Sequence, residues 1–373
     1  MIIGCPKEIK VHEYRVGLTP ANVAEYVEQG HQVYIEHNAG AGIGFSDSDY
    51  QKAGATLTDK KTLFEKSEMI VKVKEPLKEE YSYFREGQVL FTYLHLAADK
   101  ELTHMLLEKK ILSIAYETIK VNNMLPCLAP MSAIAGRLSV VESAKFIQKT
   151  YGGSGLLLSG VAGVPKGKIT ILGGGVVGIN AAQIALGLGA EVTILDIDTN
   201  RLSYIDQIFD MKINTLYSNR GNLLECLKET DVLIGAVLIP GAKAPKLIKK
   251  ADLSLMKKGS IITDVAIDQG GCFETSKPTT HTDPVFEVDG ILHYCVANMP
   301  GAVAKTSTLA LTNATLPFGL MIAKLGAREA CAKNPALLEG LNTIGGKCVY
   351  EAVATNFNLP YTPAKDAIYL VAF

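Results

Sequence analysis

The 373-residue sequence lacks any pair of cysteines at metal-binding or redox spacing: its seven, Cys5, Cys127, Cys226, Cys272, Cys295, Cys331 and Cys348, are scattered and odd in number, with no CxxC. This argues against a disulfide framework or a zinc cluster and leaves the thiols as small buried hydrophobes. Charge of one sign is not in excess, since 37 Lys+Arg stand against 38 Asp+Glu. No global field draws the chain to nucleic acid or to an anionic membrane. Long apolar runs are also missing. The most apolar region, residues 155–190, is broken by Lys166, Lys168 and many glycines before it reaches bilayer-spanning length. The first residues, Met1-Ile-Ile-Gly-Cys-Pro-Lys-Glu, show no basic leader followed by an extended apolar stretch. No repeat or low-complexity tract occurs. The expectation is a soluble, cytoplasmic protein with neither a membrane nor a nucleic-acid partner.

What is present is enough for substantial cores. Hydrophobic residues make up 48%, and the length exceeds what one core usually serves, so two domains are expected. Strand-like segments at residues 1–5, 32–36, 69–73, 89–93 and 112–116 alternate with helical ones. Thr19-Pro20 offers a cap and a first-turn proline, and Gly30 a stop. A second alternation places strands at residues 168–172, 191–195, 213–217, 232–237, 261–267 and 291–296. The helical stretches 132–150 and 303–325 lie between the two alternations and after the second. The predicted class is α/β, two Rossmann-like doubly wound domains joined by long helices. One domain comprises residues 1–130 plus 305–373, and the other residues 131–304.

The second alternation opens on Gly173-Gly174-Gly175-Val176-Val177-Gly178, set between a strand and a helix, with Asp196 ending the next strand. Glycines there permit a tight turn, close approach of a pyrophosphate to the backbone, and close helix packing. Helix-terminal N–H groups then face the anion. Asp196 would accept hydrogen bonds from an adenosine ribose and repel a 2′-phosphate, favouring NAD over NADP; nearby Arg201 weakens that preference. An ordinary strand-to-helix turn is the competing reading of the glycines.

A nicotinamide cofactor implies hydride transfer, so groups are needed to bind a small substrate and move its protons. Arg15 offers a planar fork for a carboxylate, and Lys74 a point charge before Pro76. His95 closes an apolar run that would end at the carboxyl edge of a parallel sheet, where ligands of open α/β folds gather. Its near-neutral intrinsic pKa suits proton exchange. Asp268 interrupts a buried strand ahead of Gly270-Gly271 and could accept a proton or orient an amine. Asn298 sits at another predicted strand end. On residue type alone, a solvent-facing arginine, a core histidine and a turn-capping aspartate explain these positions too.

Taken together, Gly4-Cys-Pro-Lys-Glu-Ile, Glu13-Tyr-Arg-Val, Val73-Lys-Glu-Pro, Tyr93-Leu-His-Leu-Ala, the glycine loop, Asp264-Val-Ala-Ile-Asp-Gln-Gly-Gly and Val296-Ala-Asn-Met-Pro-Gly are far more specific than GxGxxG. They closely resemble, over nearly the whole length, the bacterial L-alanine dehydrogenases, within the larger family that contains the soluble NAD-binding part of proton-translocating transhydrogenase. The resemblance implies reversible conversion of L-alanine, NAD and water to pyruvate, ammonium and NADH, in a homohexamer. It makes His95 and Asp268 the proton carriers, Arg15 and Lys74 the substrate anchors, and Asn298 a positioning group, with Tyr93 and Met131 as possible pocket walls. It implies cofactor contacts by Ser132, Gly173, Gly175, Val176, Val177, Gly178, Asp196, Arg201, Ser218, Val237, Leu238, Val265, Ala266, Ile267, Asp268, Val296, Ala297, Asn298 and Met299. The chain departs from the family pattern at Ala133, at Gly160-Val-Ala-Gly-Val and at Leu325, where some relatives carry a histidine proposed to bind magnesium. No structural metal is therefore expected, despite Glu117. A dinucleotide sensor without turnover would keep the glycine loop but have no use for His95 and Asp268.

Overall fold

A computed structural model describes residues 1–237 and 244–370. The chain divides into two units, Met1–Met131 with Val303–Phe373, and Ser132–Ala302. In the first unit the strands are β1 (Ile2–Cys5), β2 (Gln32–Glu36), β3 (Thr56–Thr58), β4 (Met69–Val71), β5 (Val89–Thr92) and β6 (Leu112–Ala115). The second unit holds β7 (Lys168–Leu172), β8 (Glu191–Asp196), β9 (Asn214–Tyr217), β10 (Val232–Gly235), β11 (Ile261–Asp264), β12 (Val285–Val288) and β13 (Ile291–Tyr294). The tail adds β14 (Leu341–Ile344) and β15 (Lys347–Cys348).

The first sheet runs β15-β14-β6-β5-β4-β1-β2-β3, parallel from β3 through β6, with β14 antiparallel to β6 and β15 antiparallel to β14. The second runs β12-β13-β11-β10-β7-β8-β9, with only β12 antiparallel. Each therefore contains a six-strand Rossmann order, which reverses direction between β1 and β4 in one sheet and between β7 and β10 in the other. Those reversals are where open α/β sheets bind ligands, outside the carboxyl ends of the strands.

Why these strands form is plain from their sequences. Met69-Ile-Val, Val89-Leu-Phe-Thr and Leu112-Ser-Ile-Ala are buried at every position, as strands covered on both faces by helices must be. Thr19 caps the helix Pro20–Glu28 in a reciprocal box with Asn22, and Gly30 (φ 82°) lets the chain leave it. The sequence reading carried one strand to residue 267; the ladder stops at Asp264, and Val265–Gln269 is a 3-10 turn. It also missed β3, β12, β14 and β15, which are short and at or near sheet edges.

One stretch needs a further correction. Met299–Leu325 is long and apolar enough, by length and composition, to span a bilayer. Within it the helix Ala304–Leu325 buries Ser307, Thr308, Thr312 and Thr315 alongside Leu311 and Ile322. That buried face packs within the first unit. At Gly319 it passes so near the first unit's core that a Cβ would lie 2.0 Å from the Tyr26 hydroxyl.

Candidate active site

In the first unit the expected chemistry follows neighbouring strands. Arg15 lies between β1 and the helix Pro20–Glu28, Lys74 three residues past β4, and His95 three residues past β5. These strands are adjacent in the sheet, in the order β5-β4-β1. The topology thus brings the three side chains to one sheet edge.

Arg15 is buried, with 2% exposure, and its fork grips Glu13: Nε donates to Oε1 at 2.6 Å and Nη2 to Oε2 at 2.6 Å. Nη1 donates to the Met131 sulfur at 3.2 Å. Burial opposes the charge, but the hydrogen bonds and Coulomb attraction of Glu13 outweigh it, and the guanidinium pKa rises. Two of five N–H donors thus serve a carboxylate of the chain itself.

Lys74 is placed through its backbone. Glu8 Oε1 accepts from the N–H groups of Val73 (2.6 Å) and Lys74 (3.2 Å), while Glu8 Oε2 accepts from Lys72 Nζ at 3.1 Å. Lys72, fully buried, also donates to Glu80 at 3.0 Å. Burial works against its charge, but the two carboxylates prevail and lift its pKa.

His95 adopts a left-handed backbone, φ 50°, uncommon for a residue with a side chain. Glu117 holds it there, accepting from the His95 N–H at 2.6 Å and from the Leu94 N–H at 3.1 Å. The imidazole is 46% exposed, and its Nδ1 stands 3.8 Å from Glu75 Oε2. Burial alone would raise the Glu75 carboxyl; His95, Lys74 and Lys10 overcome it, and the net shift is well below the usual carboxylate range. Tyr93, buried beside His95, donates its hydroxyl to the Cys127 carbonyl at 2.5 Å.

In the second unit the glycine loop follows β7 at the sheet reversal. Gly173 (φ 103°) passes so close to the next strand that a Cβ would lie 2.8 Å from the Ala236 carbonyl oxygen. Gly178, in the first turn of the helix Val176–Gly187, would set a Cβ 1.9 Å from the Gly173 oxygen. Gly175 differs: a Cβ there would meet nothing within 4 Å, and the helix start it forms has no side-chain cap. The protein's own packing does not demand glycine at that point; a pyrophosphate approaching the bare N–H groups would. Asp196 ends β8 and accepts from the Gly174 N–H at 2.6 Å and the Asp198 N–H at 2.9 Å, tying the loop to the acid. Ser218, just past β9, donates its N–H to the Asp196 carbonyl at 2.9 Å. Arg201 is exposed over the Tyr204 ring. Val177 packs in this unit's core, and Ser132 is half-buried. Leu238 lies outside the described residues, next to half-buried Val237.

Asp268 is exposed on the turn Val265–Gln269, where Val265 and Ala266 are half-buried and Ile267 is buried. Asp264 caps this turn, accepting from the N–H groups of Ala266 (3.1 Å) and Cys272 (2.8 Å) and from the Ser276 hydroxyl (2.5 Å). Burial raises its pKa, and these hydrogen bonds offset only part of that. Lys246 braces the far side by donating to the carbonyls of Gly270, Gly271 and Phe273. Asn298 takes a left-handed backbone, φ 61°, and its carbonyl is 3.2 Å from His281 Nε2; Val296 and Met299 flank it, buried, with Ala297 half-buried.

The sequence reading assigned no role to Glu8, Glu13, Lys72, Glu75, Lys246 or Asp264. Glu8, Glu13, Glu75 and Asp264 lie inside the motifs quoted above, but a residue type that supports another side chain leaves no spacing of its own. Among the described residues no cluster of three or more His, Cys, Asp or Glu has metal-binding geometry.

Comparison with known proteins gives the family. A family model described as "Alanine dehydrogenase/PNT, N-terminal domain" matches residues 4–135, and "Alanine dehydrogenase/PNT, C-terminal domain" matches residues 139–351. The chain is 55% identical to an alanine dehydrogenase of Methanococcus maripaludis over 371 residues, covering 99% of this chain and 100% of that protein. It is 53% identical to an alanine dehydrogenase of Geobacillus stearothermophilus, covering 99% and 100%. Among solved structures, an L-alanine dehydrogenase superposes with TM-score 0.93 at 51% identity, covering 96% of this chain and 99% of that one. A transhydrogenase from Sinorhizobium meliloti superposes with TM-score 0.81 at 25% identity, covering 94% and 100%.

Proposed function

Because the chain belongs to the alanine dehydrogenase/PNT family, an NAD-dependent oxidoreductase family, we propose that it catalyses the reversible oxidative deamination of L-alanine to pyruvate and ammonium. The unit Met1–Met131 with Val303–Phe373 is assigned to substrate, and Ser132–Ala302 to NAD. Supporting the reading most directly is the sheet-edge grouping of Arg15, Lys74 and His95 after neighbouring parallel strands at the reversal of the first sheet. The open space at Gly175, the uncapped helix start behind it and the acid Asp196 fit a dinucleotide in the second unit.

NAD, when bound, supplies the acceptor for the hydride that leaves the amino-bearing carbon. Arg15 and Lys74 hold the substrate carboxylate or the keto oxygen, and Asn298 helps to position the substrate; fixing the C–H bond is chiefly a contribution of orientation. Water then adds to the resulting iminium, and the carbinolamine collapses to release ammonium. His95 and Asp268 carry the protons of these two stages near neutral pH. Glu13 and Glu8 keep the anchors in place.

The assay is direct. Purified protein with NAD is offered L-alanine, D-alanine, glycine and L-serine while NADH absorbance is followed, then pyruvate and ammonium are supplied with NADH. Reduction of NAD by L-alanine and oxidation of NADH in the reverse mixture are expected; silence in both directions overturns the reading. Replacing His95 by Ala should lower turnover on the order of 10²-fold or more while NAD affinity changes little. An equal loss of both would count against its assignment as a proton carrier.

A further inference from the structure

The environment of Glu75 carries a consequence for the direction in which His95 works. Glu75 Oε1 accepts from Lys10 Nζ, whereas Oε2 is buried without a hydrogen-bond partner among the described residues. A buried carboxylate oxygen left unpaired is costly, the more so when charged, so its retention needs an explanation. His95, Lys74 and Lys10 together keep the group ionised despite burial. The ring nitrogen across from that oxygen is His95 Nδ1, at 3.8 Å, too long for a hydrogen bond and within reach of one by a small ring movement. The histidine backbone, meanwhile, is pinned in its left-handed conformation by Glu117 at 2.6 Å. One acid fixes where the side chain departs from the main chain, and the other faces the ring.

We propose that Glu75 is the positioning residue of His95: its free oxygen takes the Nδ1–H of the imidazole and leaves Nε2 as the atom that exchanges protons with substrate. This rests on the assignment of His95 as a proton carrier. A neutral imidazole has one N–H and one acceptor nitrogen, and the hydrogen bond made by one nitrogen decides which tautomer the other presents. With Nδ1–H held by Glu75, Nε2 is the acceptor in the deamination direction. When Nε2 takes a proton from water or the carbinolamine, the imidazolium so formed lies against an ionised carboxylate, and the same proton returns from Nε2 in amination. Glu75 itself stays ionised throughout and touches no reacting atom.

The test uses the full-length enzyme and the variants Glu75→Gln, Glu75→Asp, His95→Ala and the double variant Glu75→Gln/His95→Ala. Glu75→Gln should lower kcat about 10–100-fold in both directions, the usual effect of removing a group that orients a functional histidine. KM for L-alanine and the Kd for NADH should change by no more than about threefold, and Glu75→Asp should restore part of kcat. In the double variant kcat should fall no further than in His95→Ala alone, because Glu75 acts only through the imidazole. Wild-type kcat in Glu75→Gln overturns the inference, as does an equal fold-loss with and without His95, which marks a purely structural carboxylate. Should Glu75→Gln fail to fold, Glu75→Asp carries the test: reduced kcat at unchanged KM supports the role, and wild-type kcat overturns it. If His95→Ala itself keeps wild-type turnover, the assignment of His95 falls and this inference with it; loss in His95→Ala beside full activity in Glu75→Gln removes the inference alone.

Discussion

Arg15 illustrates how far residue type reaches. Its planar fork offers donors to a substrate carboxylate, and the fold commits two of them to Glu13, so the buried charge is already balanced within the chain. The same logic governs Lys72, which no spacing marked. It lies fully buried between Glu8 and Glu80 and, through Glu8, steadies the backbone on which Lys74 sits. Replacing Lys72 by Met leaves two carboxylates buried without their cation, and unfolding in denaturant should report a loss of about 3–5 kcal/mol. Because the folded pKa of Lys72 is raised above its ordinary 10.5, the stabilisation is complete at neutral pH and fades only as pH rises past that value toward the folded one. A loss under 1 kcal/mol would show that the network is indifferent to its lysine.

At the scale of elements, the glycine loop was legible because its constraint is local: a strand, a tight turn and a helix start are consecutive in sequence. The structure separates its glycines by cause. Gly173 and Gly178 are required by the chain's own backbone, Gly175 by nothing in the chain. Gly178→Ala should therefore push the helix start away from the loop and weaken NADH binding at least about tenfold, or 1.4 kcal/mol, in a fluorescence titration. Undiminished affinity would mean that the loop adjusts at no cost. Contacts between distant elements were not legible. Gly136, in the helix Ala129–Phe146, lets that helix approach so close that a Cβ would meet the Val177 carbonyl oxygen at 2.2 Å. The supports of Asp268 likewise come from Lys246, 22 residues upstream, and from Ser276 beyond the turn. Neither has a periodicity that points to its partner.

For the molecule as a whole, the homohexamer that the family resemblance implies makes a measurable statement: light scattering on the purified enzyme should return about six times the 40.0 kDa chain mass, and a monomeric mass would remove that expectation. Two alternations of strand and helix were enough to establish the α/β class, because strands buried on both faces read as continuous apolar runs whatever surrounds them. Glycine spacing and the acid at the end of β8 likewise marked the strand–turn–helix loop, since both features are short-range. Strand order, the pairing of β14 from the tail with β6, and the embrace of His95 by Glu75 and Glu117 were decided only by the tertiary structure. These join residues about twenty to more than two hundred positions apart, and for such pairs the chain specifies a contact only through the packing of everything between them.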